Sequence, residues 1–132
     1  MAGIKNLNKL LKEMKPKLVH KKFVFCTVSK AKFNKMKLNP LLVFKEKEGI
    51  AVIIERKTAD ANSLAYSDIW TLITLNVHSD LSAIGFLAKI TNRLAEEGIS
   101  TNVVSAYFHD HLFVPANRAN EAIYILNKMS KI

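Results

Sequence analysis

The second half of the chain changes from strand-like to helix-like patterning and back within a short span, and this order allows few folds. Residues 70–77 are rich in β-branched residues, as buried strands are. Apolar residues then recur at helical spacing from residue 83 to residue 95, and Gly98 is a typical helix stop. Residues 101–107 and 112–114 are predicted strands around a tight turn, and a last amphipathic helix follows, with Asn117 as its cap.

The first half gives a weaker version of the same order. Ile4, Leu7, Leu11 and Met14 have helical spacing, and Pro16 ends this predicted N-terminal helix. Three strands are then predicted, together with a short helix over residues 58–65 that Thr58 would cap. The strands cover residues 18–28, 41–45 and 50–55, and the Lys-rich residues 29–39 are predicted to be a connection.

Strands that alternate with helices at this spacing predict an α+β fold, with antiparallel sheets and helices on one face. The split βαβ arrangement, ferredoxin-like βαββαβ, is the commonest small solution. We therefore expect two tandem halves: a degenerate half with its N-terminal helix in residues 1–66, and a second domain in residues 67–132.

Composition restricts the class of protein further. The single cysteine, Cys26, cannot form an internal disulfide or a Cys-rich zinc site, and its apolar strand makes it a buried core thiol. No apolar run approaches the length that spans a bilayer, and the first residues lack the continuous apolar stretch of a signal peptide. We expect a soluble, cytoplasmic protein without membrane association.

Positive charge is concentrated in the first half of the chain. Residues 1–57 carry 15 Lys and Arg against four Glu, whereas residues 58–132 carry five against seven acidic residues. Such asymmetry can mark a nucleic-acid-binding arm. However, 17 of the 20 cations are Lys, whereas recognition of phosphates and bases favours Arg. Solvated surface charge is the favoured interpretation, and a basic nucleic-acid-binding module is an alternative.

Residues 69–129 contain, in order, the segments VHSD, LSAIGFLAKI, EEGIS, NVVSAYF and HDHLFVP. On these segments, the region resembles an ACT domain, the small ligand-binding module of amino-acid metabolism. Residues 103–122 resemble the regulatory ACT units of aspartokinases, and the whole chain resembles small stand-alone tandem ACT proteins of uncharacterised function. The resemblance implies a regulatory amino-acid sensor rather than an enzyme, with the ligand between ACT units.

The loop before the second-half helix is the predicted ligand site. Free N–H groups at a helix start bind a carboxylate, and residues 82–85 are expected to supply them. Asp80 could accept an α-ammonium group, and Asn102 could bind either group; Asp80 and Ser82 are equally explained as helix caps. We expect residues 78–85 of the loop and residues 100–103 at the start of the next strand to converge. The predicted ligand-binding residues are His78, Ser79, Asp80, Leu81, Ser82, Ala83, Ile84, Gly85, Asn102 and Val103.

Other sites find weaker support in the sequence. No catalytic motif is present, and we predict no enzyme activity and no cofactor. His109, Asp110 and His111 would make a poor metal site, so turn chemistry or a subunit contact is favoured and no metal is predicted. We expect the hairpin that carries them to lie at the opposite edge from His78. Unpaired sheet edges predict a homodimer. A protein-interaction module with an empty ACT pocket is a further alternative, and the sequence does not name the ligand.

Overall fold

The computed structural model describes residues 3–131, which form six strands, five α-helices and one 3-10 helix. In chain order these are α1 (Leu7–Glu13), β1 (Pro16–Val28), α2 (Lys30–Lys35), β2 (Leu42–Lys45), β3 (Ile50–Glu55), α3 (Arg56–Ala61), β4 (Trp70–Leu75), α4 (Phe86–Glu96), β5 (Asn102–Ser105), β6 (Asp110–Pro115), the 3-10 helix (Ala116–Arg118) and α5 (Ala119–Met129). The chain divides into two compact units, one of Lys21–Trp70 and one of Met1–His20 with Thr71–Ile132.

In the unit of Lys21–Trp70, the strands lie in the order β2, β3, β1, and both pairings are antiparallel. Alternate residues of β1 and β3 face a core that α2 and α3 cover. This core consists of Val24, Cys26, Val28, Leu38, Ile50, Val52, Ile54 and Ala59. Cys26 is 6% exposed, so the predicted buried thiol is confirmed, and burial raises the pKa of that thiol.

In the other unit, the strands lie in the order β4, β6, β5, and β5 runs antiparallel to β6. Helices α1, α4 and α5 pack on one face of these strands. The fully buried side chains of this core are Leu10, Met14, Ile73, Leu75, Ile90, Leu94, Leu112, Val114, Ala122 and Leu126. On the other face, Thr74 Oγ1 and His111 Nδ1 form a hydrogen bond of 3.0 Å.

The predicted fold class is confirmed: the protein is α+β, its strands form antiparallel pairs, and helices cover one face of the strands in each unit. The position of one helix differs from the two halves, residues 1–66 and 67–132, into which the sequence was divided. Helix α1 packs with the second half, because its apolar stripe ends in Leu10 and Met14, both fully buried beside α4 and α5. None of the helices in residues 3–131 is long and apolar enough to cross a membrane.

Two local predictions in the first half were wrong. Residues 30–35 form helix α2 rather than a plain connection, because the Ser29 hydroxyl caps it by accepting from the Lys32 backbone N–H at 3.2 Å. Helix α3 begins at Arg56, so Thr58 lies inside it instead of at its cap.

Candidate ligand-binding site

Helix α4 begins at Phe86, three residues later than the sequence pattern suggested, and Gly85 is the reason. Gly85 adopts a left-handed backbone with φ of +88°, which an L side chain rarely tolerates. It therefore terminates the loop and starts the helix, and it does not lie inside the helix as predicted. This conformation accounts for a glycine at a position where helical spacing alone would favour alanine.

The first turn of α4 is uncapped. Among the described residues, no side chain accepts a hydrogen bond from its first N–H groups, and the first helical bond runs from Lys89 N–H to the Gly85 carbonyl at 3.0 Å. The N–H groups of Phe86, Leu87 and Ala88 therefore lack a helical acceptor. Together with the helix dipole, they attract an anion to this point.

A cavity of about 140 Å³ lies at this helix start. Its lining residues come from the loop after β4, from α4, and from the adjoining ends of β5 and β6: Ser79, Asp80, Leu81, Ala83, Gly85, Phe86, Leu87, Ala88, Ser105 and Asp110. Of the ten loop and strand residues predicted as ligand contacts, the structure brings Ser79, Asp80, Leu81, Ala83 and Gly85 to this cavity.

Asp110 is the buried charged group of the cavity. It is 5% exposed, and its Oδ2 accepts a hydrogen bond of 2.6 Å from the Ser79 hydroxyl, which is also buried. Among the described residues, Ser79 is the hydrogen-bond donor to this carboxylate, and it leaves the other oxygen, Oδ1, open to a further donor. A carboxylate that is buried in a cavity and bonded through one oxygen retains capacity for a cation or another donor.

Asp80 shapes the loop. Its Oδ1 accepts hydrogen bonds from the Ser82 backbone N–H, at 2.8 Å, and from the Ser82 hydroxyl. The hydrogen bond from the Ser82 side chain is the main cause that lowers the pKa of Asp80, and the Ser82 N–H adds to it. Asp80 and Ser82 thus form a turn ahead of α4, rather than a cap on its first residue. Leu81 and Ile84 project from this turn and are 69% and 88% exposed.

Asn102 and Val103 do not line the cavity. Asn102 pairs with Phe113 and Val103 with Leu112, whereas Ser105, at the other end of β5, pairs with Asp110 and reaches the cavity. The expected convergence of the loop with the start of this strand was wrong. Strands joined by a helical crossover run parallel, so the end of β5, and not its start, meets the loop after β4.

The turn before β6 lies beside His78, so its predicted place at the opposite edge was also wrong. The His78 ring stands 5.3 Å from the Phe108 ring and 6.3 Å from the Tyr107 ring, measured between centroids. His109 and His111 point their rings toward each other at 6.3 Å. Within residues 3–131, no group of three His, Cys, Asp or Glu side chains could hold a metal ion.

Sequence reasoning missed Asp110, Ser105 and the backbone of Phe86–Ala88. A pattern in the sequence does reveal Asp110. It alternates with Leu112 and Val114 along β6, so it shares their buried face. A carboxylate at a core position needs a hydrogen-bond partner or a ligand. This requirement distinguishes Asp110 from its histidine neighbours.

Comparisons with known proteins agree with this fold. ACT domain family models match residues 2–71 and residues 66–128. A protein of unknown function from Vibrio cholerae, described as a possible transport protein, has a solved structure with 40% identity and a TM-score of 0.85, over 98% of this chain and 99% of that one. No similar sequence is found among curated proteins.

Two more distant structures share the fold alone. The regulatory subunit of aspartate kinase from Thermus thermophilus, in its ligand-free form, has 10% identity and a TM-score of 0.64, over 89% of this chain and 98% of that one. A protein from Agrobacterium tumefaciens has 14% identity and a TM-score of 0.67, over 87% of each chain. The two family matches, which together run from residue 2 to residue 128, show that this chain belongs to the ACT domain family and carries two ACT domains in tandem.

Proposed function

We propose that the protein is a regulatory sensor without catalytic activity, and that its cavity at the start of α4 binds a small α-amino acid. ACT domains are regulatory modules, and the Thermus thermophilus protein that shares this fold is a regulatory subunit of aspartate kinase. The observation that carries the proposal is the pairing of an uncapped helix start with a buried carboxylate in one cavity.

These two features are complementary to a zwitterion. The ligand carboxylate would accept from the N–H groups of Phe86, Leu87 and Ala88, where the helix dipole favours negative charge. The ligand ammonium would donate to Oδ1 of Asp110, in a charge-assisted hydrogen bond. In this proposal Asp80 holds the shape of loop residues 78–85, and Asp110 takes the ammonium-binding role that the sequence suggested for Asp80.

The cavity size selects among amino acids. A protein cavity of about 150 Å³ holds a benzene molecule. The cavity here, about 140 Å³, therefore accommodates the backbone of an amino acid together with a small side chain. Glycine, L-alanine and L-serine are the expected ligands, and an aromatic amino acid would need the cavity to extend outward past Leu81.

Two exposed side chains of the loop that contributes to the cavity support a ligand site between ACT units. Leu81 and Ile84 are large apolar residues of the loop, and both are more than two-thirds exposed. Isolated exposed residues are common, but a pair beside a polar cavity suits a surface that another unit covers. We propose that a second copy of the chain covers them in a homodimer, and that ligand occupancy alters this assembly.

A thermal-shift screen against the twenty L-amino acids tests the proposal. A ligand at about 100 times its Kd adds roughly 2.7 kcal/mol to the free energy of unfolding, which is a shift of several degrees for a domain of this size. Asp110→Asn should abolish the shift, because the amide cannot pair with an ammonium group. Asp68→Asn is the matched control, since Asp68 is exposed and lies outside the cavity.

Three outcomes would count against the proposal. A flat panel with the wild-type protein would refute amino-acid binding. Equal shifts in wild type and Asp110→Asn would refute the assignment of the ammonium site. A concentration-independent monomer in analytical ultracentrifugation, with and without ligand, would refute the homodimer.

A further inference from the structure

The N-terminal segment pairs with the loop that forms the cavity. Ile4 and Ser79 form a parallel β-bridge: the Ile4 N–H donates to the His78 carbonyl at 2.7 Å, and the Asp80 N–H donates to the Ile4 carbonyl at 2.9 Å. These two bonds hold the loop backbone on both sides of Ser79. Ser79 is the residue whose hydroxyl reaches Asp110 in the cavity.

Gly3 makes this pairing feasible, because the loop backbone occupies the space of a side chain. A Cβ atom on Gly3 would lie 2.6 Å from the His78 carbonyl oxygen, 2.7 Å from the Asp80 nitrogen and 2.7 Å from the Ser79 carbonyl carbon. All three are backbone atoms, which cannot turn aside as the end of a flexible side chain can. A side chain at residue 3 therefore forces the segment away from the loop.

The same segment reaches the other wall of the cavity. Leu7, in the first turn of α1, has its Cδ2 atom 3.9 Å from the position of a Cβ on Gly85. Helix α1 is itself anchored by Leu10 and Met14, which are fully buried in the core. The segment thus connects a fixed core helix to the loop on one side of the cavity and to the helix start on the other.

We propose that Gly3 is a positioning residue of the ligand site, and that residues 3–7 set the shape of the cavity without lining it. The pairing fixes the backbone of Ser79, so that its hydroxyl engages one oxygen of Asp110 and leaves the other toward the ligand. The part of this inference that concerns ligand binding rests on the proposed amino-acid site. Its structural part, the control of the loop by residue 3, stands independently of any ligand.

Amide hydrogen exchange of the free protein tests the structural part. In Gly3→Ala, the Ile4 and Asp80 amides should exchange at least about fivefold faster, the factor that corresponds to one hydrogen bond of about 1 kcal/mol. The amides of Ile90 and Leu94, in the core of α4, should exchange at their wild-type rates once any change in global stability has been allowed for. Gly98→Ala is the control: it also adds a methyl group to a glycine, but a Cβ there meets no atom within 4 Å, so its effect is limited to the strain of the left-handed backbone of Gly98, with φ of +71°.

Calorimetric titration with glycine and with L-serine tests the consequence. Gly3→Ala should weaken the binding of these probes by about tenfold, equal to 1.4 kcal/mol, and Gly98→Ala should leave it unchanged. A double-mutant cycle of Gly3→Ala with Ser79→Ala should be non-additive, because Gly3 acts through Ser79. A residue with a purely structural role would give additive effects.

The outcomes separate this inference from the proposed function. Unchanged exchange of Ile4 and Asp80 in Gly3→Ala would overturn the positioning role, whatever binds. Faster exchange with unchanged affinity would overturn it as well. If the wild-type protein binds neither these probes nor any other amino acid, the proposed function fails together with the ligand part of this inference, and exchange alone then decides whether Gly3 orders the loop.

Discussion

The bond between Ser79 and Asp110 gives the most specific stability prediction. Both residues are more than nine-tenths buried, and the Ser79 hydroxyl donates to Oδ2 of Asp110 at 2.6 Å. A buried hydrogen bond to a charged group contributes about 1.5–3 kcal/mol. Ser79→Ala removes this donor with little change in volume. We expect it to lower the free energy of unfolding by about 2 kcal/mol at neutral pH.

Equilibrium urea unfolding measures this loss directly. The control is Ser100→Ala, because Ser100 is exposed and its hydroxyl makes no hydrogen bond among those of the described residues. In an Asp110→Asn background, the same Ser79→Ala change should cost only about 1 kcal/mol, since the acceptor is then neutral. A loss below about 0.5 kcal/mol in the wild-type background, or equal losses in both backgrounds, would refute the charged, desolvated pair on which the site depends.

Two further predictions concern the fold around the site. Leu10→Ala should lower the free energy of unfolding by about 3–5 kcal/mol, because Leu10 is fully buried against the core of α4 and α5. The control, Lys12→Ala, should change it by less than about 0.5 kcal/mol. Equal losses in urea unfolding would contradict the placement of α1. Burial, and then the neighbouring His109, lower the pKa of His111 below its ordinary value of 6.5. As the pH falls, His111 is therefore protonated at a higher pH in the unfolded chain than in the folded protein. Stability should therefore decline below about pH 6.5 more steeply in the wild type than in His111→Asn, and parallel pH profiles would contradict this.

The fold could be predicted from the sequence because the spacing of apolar residues identifies each helix and strand locally. Burial of the same residues then stabilises those helices and strands. β3 begins with its continuous apolar run and ends one residue after it, at Glu55, and Gly98 ends α4 as expected. The place of helix α1 could not be predicted in this way. Its apolar stripe shows that it packs on a core, but not on which of two cores.

The lining of the candidate site could be predicted in part for a related reason. The loop before α4 carries turn and cap residues, so residues 78–85 could be singled out from the sequence. Asp110 was set aside because its two histidine neighbours suggested a turn or a metal site, although its alternation with Leu112 indicated burial. Asn102 was chosen because asparagine is rare in strands, but strand direction, which no single residue encodes, places it at the far end of β5.

Amide chemical-shift mapping during an amino-acid titration tests the central claim most directly. The protein would be labelled with nitrogen-15 and titrated with glycine, L-alanine and L-serine in turn. The account predicts saturable shifts of the amides of Phe86, Leu87 and Ala88, three residues that line the cavity at the start of α4, and loss of these shifts in Asp110→Asn. Saturable shifts that avoid these three amides, or that persist in Asp110→Asn, would contradict it.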